Sequence, residues 1–477
     1  MIAGLKPYPR MKDSGVPWLG EVPEHWRTER AKWLFRKMDR PVKESDEVVT
    51  CFRDGTVTLR KNRRVRGFTE SLKEIGYQGI RRGDLVIHAM DAFAGAVGVS
   101  DADGKGTPVY SVCEPGPIAV SHYYAYAIRE MARSQWIQAL AKGIRERSTD
   151  FRFEGFGSQP VPLPPLAEQA AIVRFLDHAD RRIRRYIRAK QKLIKLLEEQ
   201  KQAIIHQAVT GRIDVRTGQP YPAYKDSGVE WLGEVPEHWD VLPLKFLSKR
   251  IQNGATPPTS EATFYDNGVV PWYGPSSCAQ GENVGAPVRY LAQAAFTAGR
   301  ARLINHPALL VVVIGATAGR MAVLLHDGAT NQQITSYELK TKNVFPRFLL
   351  HQLRGAERWL RSTASTATIP ILDGNVVSRL SVAVPSVTEQ ESIVGYTDED
   401  TAGLAGLIDR ARREISLLHE YRTRLIADVV TGKLDVREAT ARLPDEGDEP
   451  LPDAADDESA PDDPADDLDA MPQEAEA

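Results

Sequence analysis

Five cations fall within seven residues at Arg60-Lys61-Asn62-Arg63-Arg64-Val65-Arg66. Lysine and arginine bind phosphate, and an arginine guanidinium also pairs with two acceptors on a guanine edge. A loop this dense in charge suits a polyanion, although a solvated charged surface has the same composition. Smaller clusters recur at Arg81-Arg82, at Lys142 with Arg145 and Arg147, at Arg300 with Arg302, and at Arg320 behind a glycine-rich turn. These residues are the candidate DNA-binding set. Asn331-Gln332-Gln333 adds amides able to read adenine edges or simply to satisfy a strand end.

Patterns that would carry catalysis lack their context. Phe153-Glu-Gly155-Phe-Gly157 has the F-x-G-x-G form of a methyltransferase cofactor loop, yet it runs into Ser-Gln-Pro and a proline-rich stop instead of opening a helix. No Asp/Asn-Pro-Pro-Tyr/Phe sequence is present to hold a flipped adenine. Gly315-Ala-Thr-Ala-Gly319-Arg320 lacks the Gly-Lys-Ser/Thr ending of a nucleotide-binding loop. Cys51, Cys113 and Cys278 form no C-x-x-C pair, so neither a zinc ribbon nor a disulfide framework is expected. The reading is of a chain that recognises and does not react, with no catalytic, cofactor or metal residues of its own.

The elements that position these cations are duplicated. Tyr8–Arg27 and Tyr221–Asp240 match at 16 of 20 positions, 213 residues apart, around Trp18, Pro23 and Trp26 in one copy and Trp231, Pro236 and Trp239 in the other. Asp13-Ser14-Gly15 and Asp226-Ser227-Gly228 make each a tight, non-helical motif, read as a structural clasp whose indoles pin a neighbouring element. A second repeat, offset by 221, joins Leu166–Arg216 to Val387–Arg437 and ends in TG-x-x-DVR each time. Between them lie two bodies, roughly 41–161 and 250–384, with almost no common sequence. Each reads as buried strand, glycine-rich turn and strand (Leu85–His88 then Ala94–Gly98; Pro307–Ile314 then Gly315–Met321), followed by helical patches near 129–142 and 345–361. Such duplication predicts two alike frames carrying two unlike inserts.

The second repeats read as helices of about 44 residues, ~65 Å at 1.5 Å per residue. Thr388 and Glu391 are a candidate capping box for the second, and Gly211 and Gly432 end the pair. Their apolar seams run through Leu176, Ile183, Ile187, Ile194, Leu197 and Ile204 in the first helix, and Leu404, Ile408, Ile415, Leu418 and Leu425 in the second. A narrow stripe on so long a helix needs a partner helix, and the other copy is the economical one. The predicted fold class is α+β: two globular domains separated by two long antiparallel coiled-coil helices, pseudo-two-fold symmetric, a dumbbell.

Composition fits a soluble protein: 42% hydrophobic and 26% charged residues, no apolar run long enough to span a bilayer and no signal-peptide core, so a cytoplasmic location is expected. The net charge of −3 hides a split. Residues 438–477 hold 16 Asp/Glu against one Arg, which leaves 60 basic and 48 acidic residues in the rest. Such a segment is expected to remain an acidic disordered tail.

The assembled pattern resembles the DNA specificity subunit of type I restriction–modification systems. The resemblance rests on Lys12–Trp26 and Lys225–Trp239, on 162–169 (PLPPLAEQ) and 384–390 (VPSVTEQ), on the two TG-x-x-DV ends, and on Gly83-Asp84-Leu-Val, Ala94–Ser100 and Asn331–Ile334. It implies target recognition domains at 1–162 and 217–384 (each with its opening motif), spacer helices at 163–216 and 385–437, and the tail at 438–477. It also implies double-stranded DNA with an asymmetric split site as target. The implied partners are two modification (methyltransferase) subunits, which carry S-adenosylmethionine and methylate adenine, and restriction (motor-nuclease) subunits, which use ATP and Mg. No cofactor on this chain and no membrane are implied. Two other classes stay open from the residues alone: an enzyme with a concealed cofactor site, and a protein–protein scaffold indifferent to DNA.

Overall fold

The computed structural model describes residues 5–63, 75–140, 150–278, 281–363 and 371–444. The chain divides into two units, Met1–Ala189 with Glu414–Ala477, and Lys190–Arg413. The first is therefore built from both ends of the chain, whereas the second is continuous.

In the first unit the opening motif forms a hairpin, Met11–Asp13 against Glu21–Pro23. Its turn is closed by side chains, with Gly15 N donating to Asp13 Oδ1 at 2.9 Å and Val16 N to Ser14 Oγ at 3.1 Å. Strand β1 (Arg27–Arg30) leads into β2 (Phe35–Lys37), β3 (Leu85–His88), β4 (Val97–Val99) and β5 (Tyr110–Pro115). Strands β2–β5 form one antiparallel sheet in the order β2-β5-β3-β4. Helix α1 (Ser121–Arg133) covers it, burying Tyr123, Tyr124, Ala127, Ile128 and Met131. The body closes where β6 (Pro160–Leu163) returns to pair with β1. Phe153–Ser158, the F-x-G-x-G segment, is a short helix whose Phe156 is fully buried 5.9 Å from the Phe35 ring, a core contact.

From Leu166 the chain enters α2 (Leu166–Val209), 44 residues without a glycine or proline and rich in strong helix formers. It ends in a left-handed Gly211 (φ 73°), with Arg212 N bonded to Gln207 O at 2.9 Å and Gly211 N to Ala208 O at 3.2 Å. These two bonds are a Schellman closure.

The second unit repeats the plan. Its opening hairpin, Tyr224–Asp226 with Glu234–Pro236, has the same turn bonds, Gly228 N to Asp226 Oδ1 and Val229 N to Ser227 Oγ. Strands β7 (Asp240–Pro243), β8 (Ser248–Asn253), β9 (Ala308–Val312), β10 (Met321–Leu324) and β11 (Ile334–Leu339) precede α3 (Pro346–Gly355) and β12 (Ser381–Val384). The sheet runs β8-β11-β9-β10, antiparallel throughout, and β12 pairs with β7. Both bodies thus place their first strand beside the last and their second beside the third. Helix α4 (Val387–Val430) follows, also 44 residues, then α5 (Arg437–Ala441).

Within each unit the long helices run antiparallel. In the second, Ile205, Ala208 and Val209 share a core with Ile393 and Val394, while Glu198 meets Arg412 at 2.8 Å. In the first, Ile172, Phe175 and Leu176 share a core with Leu425, Val429 and Val430, and Asp180 meets Arg422 at 2.5 Å. The seam residues Leu176, Ile183, Ile187, Leu197, Ile408 and Leu425 are buried; Ile194, Ile204, Leu404, Ile415 and Leu418 are half-buried. At the end of α2 burial passes from Ile204 to Ile205, because a helix of 3.6 residues per turn drifts ~20° per heptad against a 3.5-residue pattern.

The fold class is α+β, as the pattern predicted, and two sequence expectations are corrected. The cap of α4 is not the Thr388/Glu391 box. Ser386 Oγ accepts from Glu389 N at 3.3 Å, and the Glu389 side chain turns to the opening motif instead. The acidic tail does not begin at 438. Residues 437–444 form α5 and its exit, with Thr440 Oγ1 donating to Ala171 O at 3.1 Å. The remainder of that expectation, 445–477, lies outside the described residues.

Candidate nucleic-acid interface

The frame's most duplicated residues do structural work. Glu168, buried in the first turn of α2, accepts from Tyr8 Oη and from Trp26 Nε1 (3.0 Å) and pairs with His25 Nε2 (2.9 Å). Glu389 receives Tyr221 Oη at 2.7 Å, Trp239 Nε1 at 3.1 Å and His238 Nε2 at 3.1 Å. Burial and the adjacent carboxylate push both phenols far above the ordinary tyrosine range. The following glutamines face the bodies. Gln169 accepts from Val120 N and donates to Ile118 O and Pro164 O, as Gln390 does with Phe345 N, Asn343 O and Pro385 O. The clasp expected of the opening motif is therefore present, and its anchor is the Glu-Gln pair.

The TG-x-x-DVR ends seat on the same clasp. A Cβ on Gly432 would lie 2.4 Å from Pro23 Cδ, and one on Gly211 would lie 2.3 Å from Pro236 Cδ. Arg437, paired with Asp435 at 2.6 Å, stacks over the Tyr8 ring, and Arg216 pairs likewise with Asp214 at 2.8 Å. None of these repeated groups presents a free reading edge, which leaves recognition to the unlike bodies.

The candidate cations separate into distinct environments. Arg60 and Lys61 lie in a 3₁₀ turn, Arg60–Asn62, with Arg60 Nε on Thr50 Oγ1 and Lys61 beside Glu47 at 2.6 Å. Arg63 pairs with Asp54 at 2.6 Å and stacks on Phe52. Arg64, Arg66, Lys142, Arg145 and Arg147 lie outside the described residues. Arg81 is a correction: its guanidinium bonds the buried Asp46 at 3.2 Å and the carbonyls of Ile80 and Gly104, so its donors are spent inside the body. Arg82 next to it is exposed and held only by its Nε on Asp101 O at 2.7 Å, leaving its terminal nitrogens outward.

In the second body Arg300 and Arg302 are exposed, the latter steadied by Asn253 O at 3.1 Å. Arg320 is half-buried and lines an open cavity of about 870 Å³ with His206, His351, Arg354 and Glu357, so it faces the end of α2 as well as solvent. Asn331 and Gln333 bond one another, Asn331 Nδ2 to Gln333 Oε1 at 2.9 Å, which is the strand-end role. Gln332 meets Thr256 on the exposed surface.

One repeated feature escaped the sequence reading. Trp33 is 69% exposed with Lys32 Nζ 5.2 Å above its ring, and Phe246 is 55% exposed with Lys245 Nζ at 5.0 Å. The pairs are again 213 residues apart, just past the end of the strong repeat. Extending that offset by a few residues was the available signal.

Residues 236–399 match the family model described as the type I restriction modification DNA specificity domain. The chain belongs to the specificity subunits of type I restriction–modification systems. It is 21% identical over 201 residues to the EcoR124I/EcoR124II specificity subunit of Escherichia coli, a match spanning 41% of this chain and 46% of that protein. It is 23% identical over 336 residues to the MjaVIII specificity subunit of Methanocaldococcus jannaschii, spanning 66% of this chain and 70% of that protein. A chain from a solved structure on complex assembly and conformational transition of the type I R-M system has the same fold, with TM-score 0.62 and 16% identity over 87% of this chain and 99% of that one. Among the described residues of this specificity subunit, no group of three or more His, Cys, Asp or Glu is placed to hold a metal ion, and no helix is long and apolar enough to cross a membrane.

Proposed function

We propose that this specificity subunit reads an asymmetric, bipartite DNA sequence, one body per half-site, and directs adenine methylation and restriction carried out by partner subunits. The observation that carries the reading is the contrast within the duplication. Two frames repeat bond for bond at Glu168 and Glu389, while two bodies of one strand order carry unrelated loop chemistry, Arg60–Arg63 with Arg82 in the first and Arg300 with Arg302 in the second. Unlike readers on like supports suit a target whose halves differ, with the long helices as the spacer between them.

The partners follow the same logic. A partner bound twice must meet the same surface twice, and the exposed Lys32–Trp33 and Lys245–Phe246 pairs are repeated, aromatic and solvent-facing, as anchoring residues of interfaces are. We assign them to two modification subunits, which bring S-adenosylmethionine. ATP and Mg belong to the restriction subunits, and this chain works in the cytoplasm without a cofactor of its own.

The test is adenine-methylation mapping in a genome expressing this chain with its methyltransferase, repeated after exchange of residues 41–161 for another body. A split motif that changes in one half supports one reader per half-site. Change in both halves, or methylation independent of this chain, overturns it.

A further inference from the structure

The face of α2 opposite the seam is a basic stripe. Arg174, His178, Arg181, Arg185 and Arg188 recur at spacings of three, four and seven, with Arg182 beside them, so they line one side of the helix. Arg181, Arg182 and Arg185 are exposed. Asp180 lies on the flank and is engaged by Arg184 at 2.9 Å and by Arg422 at 2.5 Å. The corresponding stretch of α4, 395–409, has one carboxylate at Asp398, two more at Glu399 and Asp400, a fourth at Asp409 and no lysine or arginine. The stripe is thus a property of one copy and not of the repeated frame.

The C-terminal segment runs onto this stripe. Thr440 is bonded to Ala171 O at 3.1 Å, and four residues on Arg174 Nη2 donates to Pro444 O at 2.9 Å and to Leu443 O at 3.3 Å. Between these anchors the chain advances along α2 toward Arg181. The next residues are Asp445, Glu446, Asp448 and Glu449, and 445–477 holds 15 carboxylates and no lysine or arginine. From Arg174 to Arg188 is ~21 Å of helix, a span that about seven extended residues cover.

We propose that residues 445–477 lie along the basic face of α2 from Arg174 to Arg188, as a tethered polyanion that keeps nucleic acid off this helix. The inference goes beyond sequence recognition and does not rest on it. Shielding this stripe confines phosphate contact to the bodies, because a tethered anion reaches the stripe at high effective concentration while free duplex must displace it.

Binding of a random-sequence duplex to the full chain and to a chain ending at Pro444 tests the consequence, at moderate salt and by fluorescence anisotropy. The shortened chain is expected to bind at least tenfold tighter. With Arg182→Glu and Arg185→Glu in both, the difference is expected to fall below twofold. An unchanged affinity on shortening, or a gain that survives the charge reversal, overturns the proposal. Location is read separately with Arg182→Lys and Arg185→Lys, which keep the charge and supply amines for carbodiimide coupling to carboxylates. Coupling within one chain to 445–477, lost at 1 M salt where the Debye length is ~3 Å, supports the assignment. Coupling of the tail chiefly to body lysines such as Lys61, or between two chains, refutes it.

Discussion

The indole nitrogen of Trp26 donates to the Glu168 carboxylate at 3.0 Å across 142 residues of sequence. That bond ties the opening motif to the first turn of a long helix, and Trp239 with Glu389 makes the same tie at 3.1 Å. Replacing either acid by glutamine leaves one oxygen to serve Tyr, Trp and His donors and turns an amide N–H₂ into the cluster. Glu168→Gln is expected to destabilise the first unit by about 2–4 kcal/mol. Denaturant unfolding with Trp fluorescence checks it; a loss under 0.5 kcal/mol would show that the clasp is held by packing alone.

The helix ends should be equally intolerant. Gly432 combines φ 77° with a Cβ position 2.4 Å from Pro23 Cδ. Gly432→Ala therefore carries both left-handed strain and a clash, and a loss above about 1 kcal/mol is expected. Gly211→Ala should behave alike. Melting temperatures of the two variants give the comparison.

Acid should loosen the second unit. Hydrogen bonds from His351 (3.1 Å) and Arg347 hold the Glu282 carboxyl at about 2, and Arg347 also reaches Asp398 on α4 at 2.7 Å. A depressed carboxyl contributes stability that is complete above its unfolded value of roughly 4.3 and is lost as pH falls toward 2. The contribution is at most about 3 kcal/mol, since Glu282 keeps some solvent contact. Glu282→Gln should flatten stability between pH 4.5 and 2 (about one ordinary carboxylate range); an unaltered profile would assign the acid sensitivity elsewhere.

Arg81 and Arg82 are adjacent and should fail differently. Arg81→Ala strands the buried Asp46 and is expected to cost about 3 kcal/mol of stability. Arg82→Ala should leave folding intact, weaken duplex binding and lower the salt slope by about 1. Paired unfolding and salt-titration measurements separate the two outcomes.

The exposed aromatics make a stoichiometric prediction. Trp33→Ala and Phe246→Ala should leave melting unchanged, because both rings face solvent. Each is expected to release one of two modification subunits, and the double variant both, as read by native mass spectrometry. Retention of two subunits by the double variant would remove these rings from the interface.

The sequence by itself determined the duplication, the class of each element and the two long helices, because periodicity, prolines and terminal glycines act locally. Leu166–Val209 contains no residue that breaks a helix, and PALLVVVI can only be a buried strand. Helix α1 was placed too late, near 129, since the aromatic run Ser121–Tyr126 hides its period until the sheet it packs on is known. Tertiary structure decided the rest. Only folding shows that the C-terminal TG-x-x-DVR end docks on the N-terminal motif, that Arg81 turns inward while Arg82 turns out, and that Glu389 serves Trp239 and not a helix cap. Those outcomes depend on which groups meet across more than a hundred residues, and burial assigns a charge its partner only after the chain has closed around it.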